Sequence, residues 1–287
     1  MADIKIVVDT AADMPKKYAE KYDIGIISFL SIFGEDTYVS GVDITNDEFF
    51  DKLEAYDGFP TTSQTPYGDM YDFLLEECKK HDEVIYFTIS SKASGQNNTA
   101  HLVREEILED YPEAKLHIVD SEKFSLYIAK TAVYAAQMVL EGKTSEEIIE
   151  ECQAYIKTWR AYLLVDTLEY LQKGGRISKA SAVVGSLLDI KPILTIENGL
   201  VESYDKLRGK KKLLDKLIEK VQEDPDFEDV NTEFMVIQSD EDKGHELMEK
   251  LQEEYGENCV TMYGQFGAII GTHVGRGAVA VISRIKG

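Results

Sequence analysis

Apolar residues recur along the chain in two alternating spacings, and that alternation predicts the architecture. Ile4 to Val8 form a short continuous apolar run ending at Asp9-Thr10, the pattern of a strand buried on both faces. Asp13 and Pro15 then supply the N-cap and early-proline signals of a helix through about Tyr22. A strand-like stretch covers Ile24 to Phe33, and Thr45 with Glu48 makes a capping box opening a helix to about Tyr56. Thr65-Pro66 starts the next helix, whose apolar positions Met70, Phe73 and Leu74 share one face. Val84 to Ile89 reads as a strand, a helix follows from about Ser94, and Leu116 to Val119 is another strand. Helical spacing returns from Ser125 to Leu140 and from Thr144 to about Lys157, the latter opened by a Thr144/Glu147 capping box.

Strand and helix in strict alternation imply a parallel sheet with helices on both faces. The later part of the chain begins with a strand at Tyr162 to Val165. Asn198-Gly199, set between Ile193–Ile196 and Leu200–Tyr204, predicts a type I′ hairpin, since both turn residues must take positive φ. Helices near 210–224 and 241–255 alternate with strands at Phe234–Gln238 and Val260–Tyr263, and Ala278 to Ile282 closes the chain. The expected fold class is α/β. An open parallel sheet flanked by helices occupies residues 1–160, and a C-terminal α/β domain with a mixed sheet occupies 161–287, with the boundary near 158–162.

Composition narrows the function. At 287 residues and 44% hydrophobic, the chain can build one large or two modest cores. No apolar run approaches the ~18 residues needed to span a bilayer, so no integral membrane association is expected. The start, Met1-Ala2-Asp3-Ile4-Lys5, lacks the basic and apolar regions of a signal peptide, which makes the cytoplasm the expected location. A net charge of −22, from 53 acidic against 31 basic side chains, argues against nucleic acid or an anionic bilayer as partner. An anionic ligand would have to be held by local donors against that field. Cys78, Cys152 and Cys259 are odd in number, widely spaced and set among apolar neighbours, which suggests buried thiols rather than disulfides. The histidines at 81, 101, 117, 245 and 273 form no HxxxH, HxH or His-Cys cluster, so no metal site is expected.

Four segments place small polar residues where an element ends. Pro60-Thr61-Thr62-Ser63-Gln64 precedes the helix at Pro66, and Thr65 alone would serve as its cap. Ser90-Ser91-Lys92-Ala93-Ser94-Gly95 joins a buried strand to a helix, at the carboxyl edge where open parallel sheets bind ligands. Free N–H groups of a helix start, with hydroxyls added, suit a carboxylate or phosphate there, although ordinary capping serines explain the same residues. Gly267 to Gly277 carries His273 in a glycine-dense loop, a sign of tight turns or close approach. Leu171 to Ser178 reads as a helix stop, with Gly174 or Gly175 left-handed and Ser178 capping the next helix. Arg176 in that segment, and the basic run Arg208, Lys210, Lys211 and Lys212, are either recognition residues or a solvated helix start.

Together these segments resemble the DegV family of bacterial fatty-acid-binding proteins. The resemblance runs through Asp9 to Asp13, Thr61-Thr62-Ser63-Gln64, Ser90 to Gly95, Val119-Asp120-Ser121, Leu168 to Ser178, Lys191 to Leu194 with Asn198-Gly199, and Gly267 to Gly277. It implies a two-domain fold with a long-chain fatty acid, such as palmitate, stearate or oleate, between or beneath the domains. It assigns the carboxylate to Thr62 and Ser94 with His273, and places Ser63 and Gly95 nearby. It also implies that the chain itself does no chemistry and needs no cofactor, and that some relatives pass the bound acid to an ATP-dependent fatty acid kinase. Arg176, with Arg208, would then serve docking of that kinase, projecting away from the buried ligand. The chain departs from the family pattern at Thr65, at Gln96 to Thr99 and at Arg276, all flanking the expected head-group end.

Two other readings use the same residues. Ser94, then Asp120 or Asp166, then His273 follow the order of an α/β-hydrolase triad, but Lys92 and Gln96 stand where a nucleophile elbow needs glycine. A phosphate- or nucleotide-binding protein is the third class, although neither GxxxxGK[ST] nor a GxGxxG after the first strand is present.

Overall fold

β1 (Ile4–Asp9) is buried at every position because it lies inside a four-stranded parallel sheet. The order is β2 (Gly25–Ile27), β1, β6 (Glu83–Thr88), β7 (Leu116–Asp120). Successive side chains point to opposite faces, so Ile6 and Val8 meet α5 (Leu126–Leu140) while Val7 meets α3 (Tyr67–Lys80) and α4 (Gln96–Asp110). That double burial is why the run reads as continuously apolar. The computed structural model describes residues 2–177, 190–208, 212–228 and 232–286.

A second sheet of six strands has the order β10 (Leu200–Arg208), β9 (Ile190–Glu197), β8 (Trp159–Leu164), β13 (Val279–Arg284), β11 (Phe234–Gln238), β12 (Val260–Gln265). Only β11 and β12 run parallel, so the sheet is mixed as expected. β9 and β10 form the Asn198-Gly199 hairpin, with φ of 50° and 74° at the two turn residues. Both capping boxes are present, at the starts of α2 (Asn46–Ala55) and α6 (Ser145–Tyr155). α8 (Leu213–Gln222) and α9 (Glu241–Tyr255) fall where the spacing placed helices.

Several elements differ from expectation. Ile24 to Phe33 is two strands in two sheets: β2 ends at Ile27, and β3 (Leu30–Phe33) joins an antiparallel sheet in the order β4 (Asp36–Val39), β3, β5 (Thr61–Ser63). The break falls where side chains take over backbone bonding, with Ser28 O accepting from Thr65 Oγ1 and Phe29 N–H donating to Thr10 Oγ1. β4 and β5 are too short and too polar to show a strand period. Thr65 does not cap α3; its hydroxyl is spent on Ser28 and Gln96. Asp13 does not cap α1 (Lys16–Tyr22), whose N-cap position is Pro15.

Asp13 instead has φ of 49° and a fully buried carboxylate. Its Oδ2 accepts from Ser125 Oγ and its Oδ1 from the Gly267 N–H at 2.8 Å. It thereby ties the turn after β1 to the starts of α5 and of α10 (Ala268–Val274). Burial pushes its pKa up to about 7, opposed by those two hydrogen bonds and reinforced by the nearby Asp9 charge. Asp13→Ala should cost about 3 kcal/mol or more in a urea melt, because two buried donors lose their acceptor. Asp13→Asn, which keeps a carbonyl oxygen, should cost less. Since the folded pKa is raised, the folded form binds the extra proton, and this group's contribution to stability falls as pH rises from about 4 to about 7. The asparagine variant should therefore gain on the wild type across that window, and parallel pH profiles of the two would contradict the assignment.

Candidate functional site

A cavity of about 290 Å³ lies against the carboxyl ends of β2, β6 and β7, the edge at which open parallel sheets bind ligands. Phe29, Ile89 and Phe124 follow those strands and wall one side. Ala161 and Leu163 of β8 with Ala280 and Ile282 of β13 form the opposite wall, and Ile269 and Ile270 of α10 close over it. The lining is therefore mostly apolar, with polar groups gathered at one end.

That end is built from four elements. β5 carries Thr62, held opposite Ser31 of β3, and Thr62 Oγ1 lies 3.3 Å from His273 Nε2. α10 carries His273, so this histidine stands on a short helix and not in the loop its glycines suggested. The glycines serve close packing: a Cβ on Gly271 would lie 2.8 Å from both the Phe49 and the Phe50 rings of α2. Ser94 precedes α4, where its Oγ accepts from the Gln96 N–H at 3.2 Å. Gly95 leaves room for the Gln64 amide, whose Oε1 would sit 2.3 Å from an added Cβ. Ser63 and Gly95 both line the cavity beside Thr62 and Ser94.

The fourth element is α7 (Glu169–Gly174), which ends at Gly175 with φ of 69°, the left-handed stop expected for one of the two glycines. Gly174 presses on the His273 ring, where a Cβ would come 2.2 Å from Nδ1. Arg176 then turns inward. Its Nε donates to Ala93 O at 3.2 Å and its Nη1 to Gly174 O, and the side chain lines the cavity. The expectation that Arg176 projects clear of the ligand site is thus corrected: the glycine-bounded turn aims it at His273 and Thr62. Among the described residues the guanidinium has no carboxylate partner. Arg208 ends β10, and its side chain lies outside the described residues, as do Lys210, Lys211 and the expected cap Ser178.

Electrostatically the end is a set of donors awaiting an acceptor. Among the described residues His273 Nδ1 is buried without a hydrogen-bond partner. Burial first, and the Arg176 charge second, lower the His273 pKa to about 4, so the ring is neutral near pH 7. A smaller polar chamber of about 100 Å³ shares Thr62, Arg176 and His273 with the cavity and adds Lys173 and Tyr170. The hydrolase arrangement is not assembled. His273 meets Thr62, Asp166 is paired with Lys243 and Lys191, and Asp120 accepts backbone N–H groups from Ser91 and Glu122. All three cysteines are buried free thiols, and burial raises Cys78 to about 11 and Cys152 to about 12. Among the described residues no helix is long and apolar enough to cross a membrane.

The sequence profile described as "uncharacterised protein, DegV family" matches residues 3–286. The chain belongs to the DegV family. A Thermotoga maritima relative named a fatty acid-binding protein is 35% identical, with 96% of each chain covered. The crystal structure of Bacillus subtilis DegV, described as a fatty acid binding protein, superposes with a TM-score of 0.86 at 32% identity over the whole of both chains. A stearic acid-binding protein from Eubacterium ventriosum gives a TM-score of 0.88 at 26% identity, covering 99% of this chain and 98% of that one. The family places the shared fold beyond doubt, and the cavity sits within it.

The His273 assignment is open to direct titration. Its neutral form contributes stability that is fully present above the unfolded value near 6.5 and is lost as pH falls towards about 4. A carboxylate arriving beside it favours the charged ring, so NMR titration should show its pKa rising when a long-chain acid binds. An unmoved titration curve would separate His273 from the ligand's head group.

Proposed function

We propose that this protein binds one long-chain fatty acid, such as palmitate, stearate or oleate, and performs no chemistry on it. The observation that carries this reading is an apolar cavity ending at the buried, unpartnered His273 Nδ1 and at Arg176, which has no carboxylate partner among the described residues. Thr62, Ser94 and His273 would hold the carboxylate, with Ser63 and Gly95 beside them. A buried carboxylate is prohibitive unless hydrogen-bonded, and these groups supply the bonds. Arg176 would add charge at the same end. The tail would supply affinity: ~14 methylenes at ~0.8 kcal/mol each give on the order of 11 kcal/mol before association costs.

We further propose that the acid is presented to a separate ATP-dependent fatty acid kinase that forms acyl-phosphate. The polar chamber beside the head-group end supports this, since Lys173 and Arg176 give it cationic character in an otherwise acidic molecule. Arg176 would serve docking there as well as the ligand, and Arg208 would contribute to the docking face. Division of the chain near residue 160, with the ligand between or beneath the two units, belongs to the same proposal.

Native mass spectrometry of the purified protein provides the test: a co-purified mass in the C16–C18 acid range is expected, and a nucleotide mass would end the lipid reading. Thr62→Val with Ser94→Ala should weaken a fluorescent fatty acid by about 100-fold or more, from ~1.5–3 kcal/mol for each of the lost bonds to a charged group. Arg176→Ala should also weaken binding, and more at low salt than at high salt. Undiminished affinity in the double variant would remove Thr62 and Ser94 from the site.

A further inference from the structure

The two segments that carry Thr62 and Ser94 are tied to each other by one side chain. Gln96, wholly buried and two residues after Ser94, reaches Thr65, three residues after Thr62. Its Oε1 accepts from the Thr65 N–H at 3.1 Å, and its Nε2 donates to Thr65 Oγ1 at 2.9 Å. A backbone N–H can only donate, so the amide has a single orientation in this contact. The same Nε2 donates to Tyr86 Oη at 2.8 Å, and Tyr86 passes its own hydrogen to Asp9 Oδ2 at 3.4 Å. Both amide hydrogens and the carbonyl oxygen of Gln96 are thereby spent.

A neighbouring contact reinforces this one. Gln64 Nε2 donates to Thr99 Oγ1 at 2.7 Å, and the Gln64 amide packs where a side chain on Gly95 would stand. The first turn of α4 therefore grips the chain leaving β5 at two consecutive residues, Gln64 and Thr65. Gln96 also acts on Ser94 directly. Its backbone N–H donates to Ser94 Oγ at 3.2 Å, which leaves that hydroxyl's own hydrogen for another acceptor. Thr65 and Gln96 are moreover two of the positions at which the chain departs from the family pattern, and in the structure they are the two ends of one contact.

We propose that Gln96 is the positioning residue of the head-group site: by fixing Thr65 against the start of α4, it sets the spacing of the Thr62 and Ser94 hydroxyls to the two oxygens of one carboxylate. The inference rests on the fatty-acid reading, with Thr62 and Ser94 as carboxylate donors, and adds a residue that acts through them. Gln64, Ser94 and Gly95 line the cavity, whereas Gln96 is not part of the described lining. Loss of the contact should loosen the hydroxyl pair and leave the apolar walls as they are. Affinity is then lost at the carboxyl group and not along the tail, because misplaced donors fail an oriented anion far more than an apolar chain.

The test is titration of palmitic acid and of 1-hexadecanol, which shares the tail but lacks the carboxylate, against wild type and Gln96→Met, each with and without Thr62→Val. Gln96→Met should weaken palmitic acid about tenfold and hexadecanol less than about twofold. Once the spacing is lost, Thr62→Val should add little: about twofold in the Gln96→Met background, against about tenfold on its own. A purely structural glutamine would weaken both probes alike, and its cost would add to that of Thr62→Val. Either result overturns the inference, as does unchanged binding of palmitic acid by Gln96→Met. Should Gln96→Met fail to fold, Thr65→Val takes its place, since it removes the Nε2 contact and keeps the N–H on Oε1, and the same selective loss is expected. Wild type that binds both probes while Thr62→Val changes nothing overturns the inference and leaves the fatty-acid reading intact. If wild type binds neither probe, both readings fall together.

Discussion

One buried carboxylate holds the working parts of this molecule in register. Asp13 joins the turn after the first strand to the starts of α5 and α10, across a sequence separation of 254 residues to Gly267. Those two helices supply much of the cavity: Ser125 and Tyr127 from α5 or its start, and Ile269, Ile270 and His273 from α10. The Ser125 N–H also donates to Ala11 O at 2.8 Å, so the joint is double. A left-handed, fully desolvated aspartate is costly in isolation, and it persists because neighbouring backbone and side-chain donors surround it. Asp9, likewise buried and pushed up to about 7, plays the matching part inside the sheet by accepting from the N–H groups of Ala11 and Ile89.

From that joint follows the asymmetry of the cavity. A net charge of −22 repels any anion at long range, and screening limits that repulsion to about 8 Å at physiological salt. Inside the cavity the balance reverses, because a neutral histidine, two hydroxyls and a guanidinium with no carboxylate partner among the described residues all offer hydrogens and none offers negative charge. Short-range donors in a desolvated site outweigh a screened global field. An acid bound as proposed would have its carboxyl at the polar chamber and its tail among apolar side chains.

Long periodic elements were legible in the sequence, and short ones were not. β1, α3, α5, both capping boxes and the Asn198-Gly199 hairpin each show a period or a turn signature that local physics enforces. β4 and β5 have three or four residues apiece and exist through pairing with β3, a non-local fact that no window of sequence contains. The same limit governed the site. Thr62, Ser94 and His273 lie far apart in sequence, and only the resemblance grouped them; the structure brings Thr62 to His273 and sets all three on one cavity. The inward turn of Arg176 is not legible in the sequence, because a glycine pair signals a turn without giving its direction.

The glycines of α10 show how a misleading local signal carries site information. Read alone, Gly267 to Gly277 suggests a loop around a ligand; in the fold it is a helix that cannot tolerate side chains on its packed faces. Gly271 lets α10 settle onto the Phe49 and Phe50 rings, and Gly275, with φ of 72°, leaves space for the Tyr170 ring of α7. Gly174 of α7 completes the contact from the other side, against the His273 ring itself. The imidazole is therefore fixed by close backbone approach rather than by a second hydrogen bond, which is why its Nδ1 is left without a partner. Fixing a ring this way keeps both nitrogens uncommitted to a carboxylate of the protein, and an imidazole so held can respond to a carboxylate that comes and goes with the ligand.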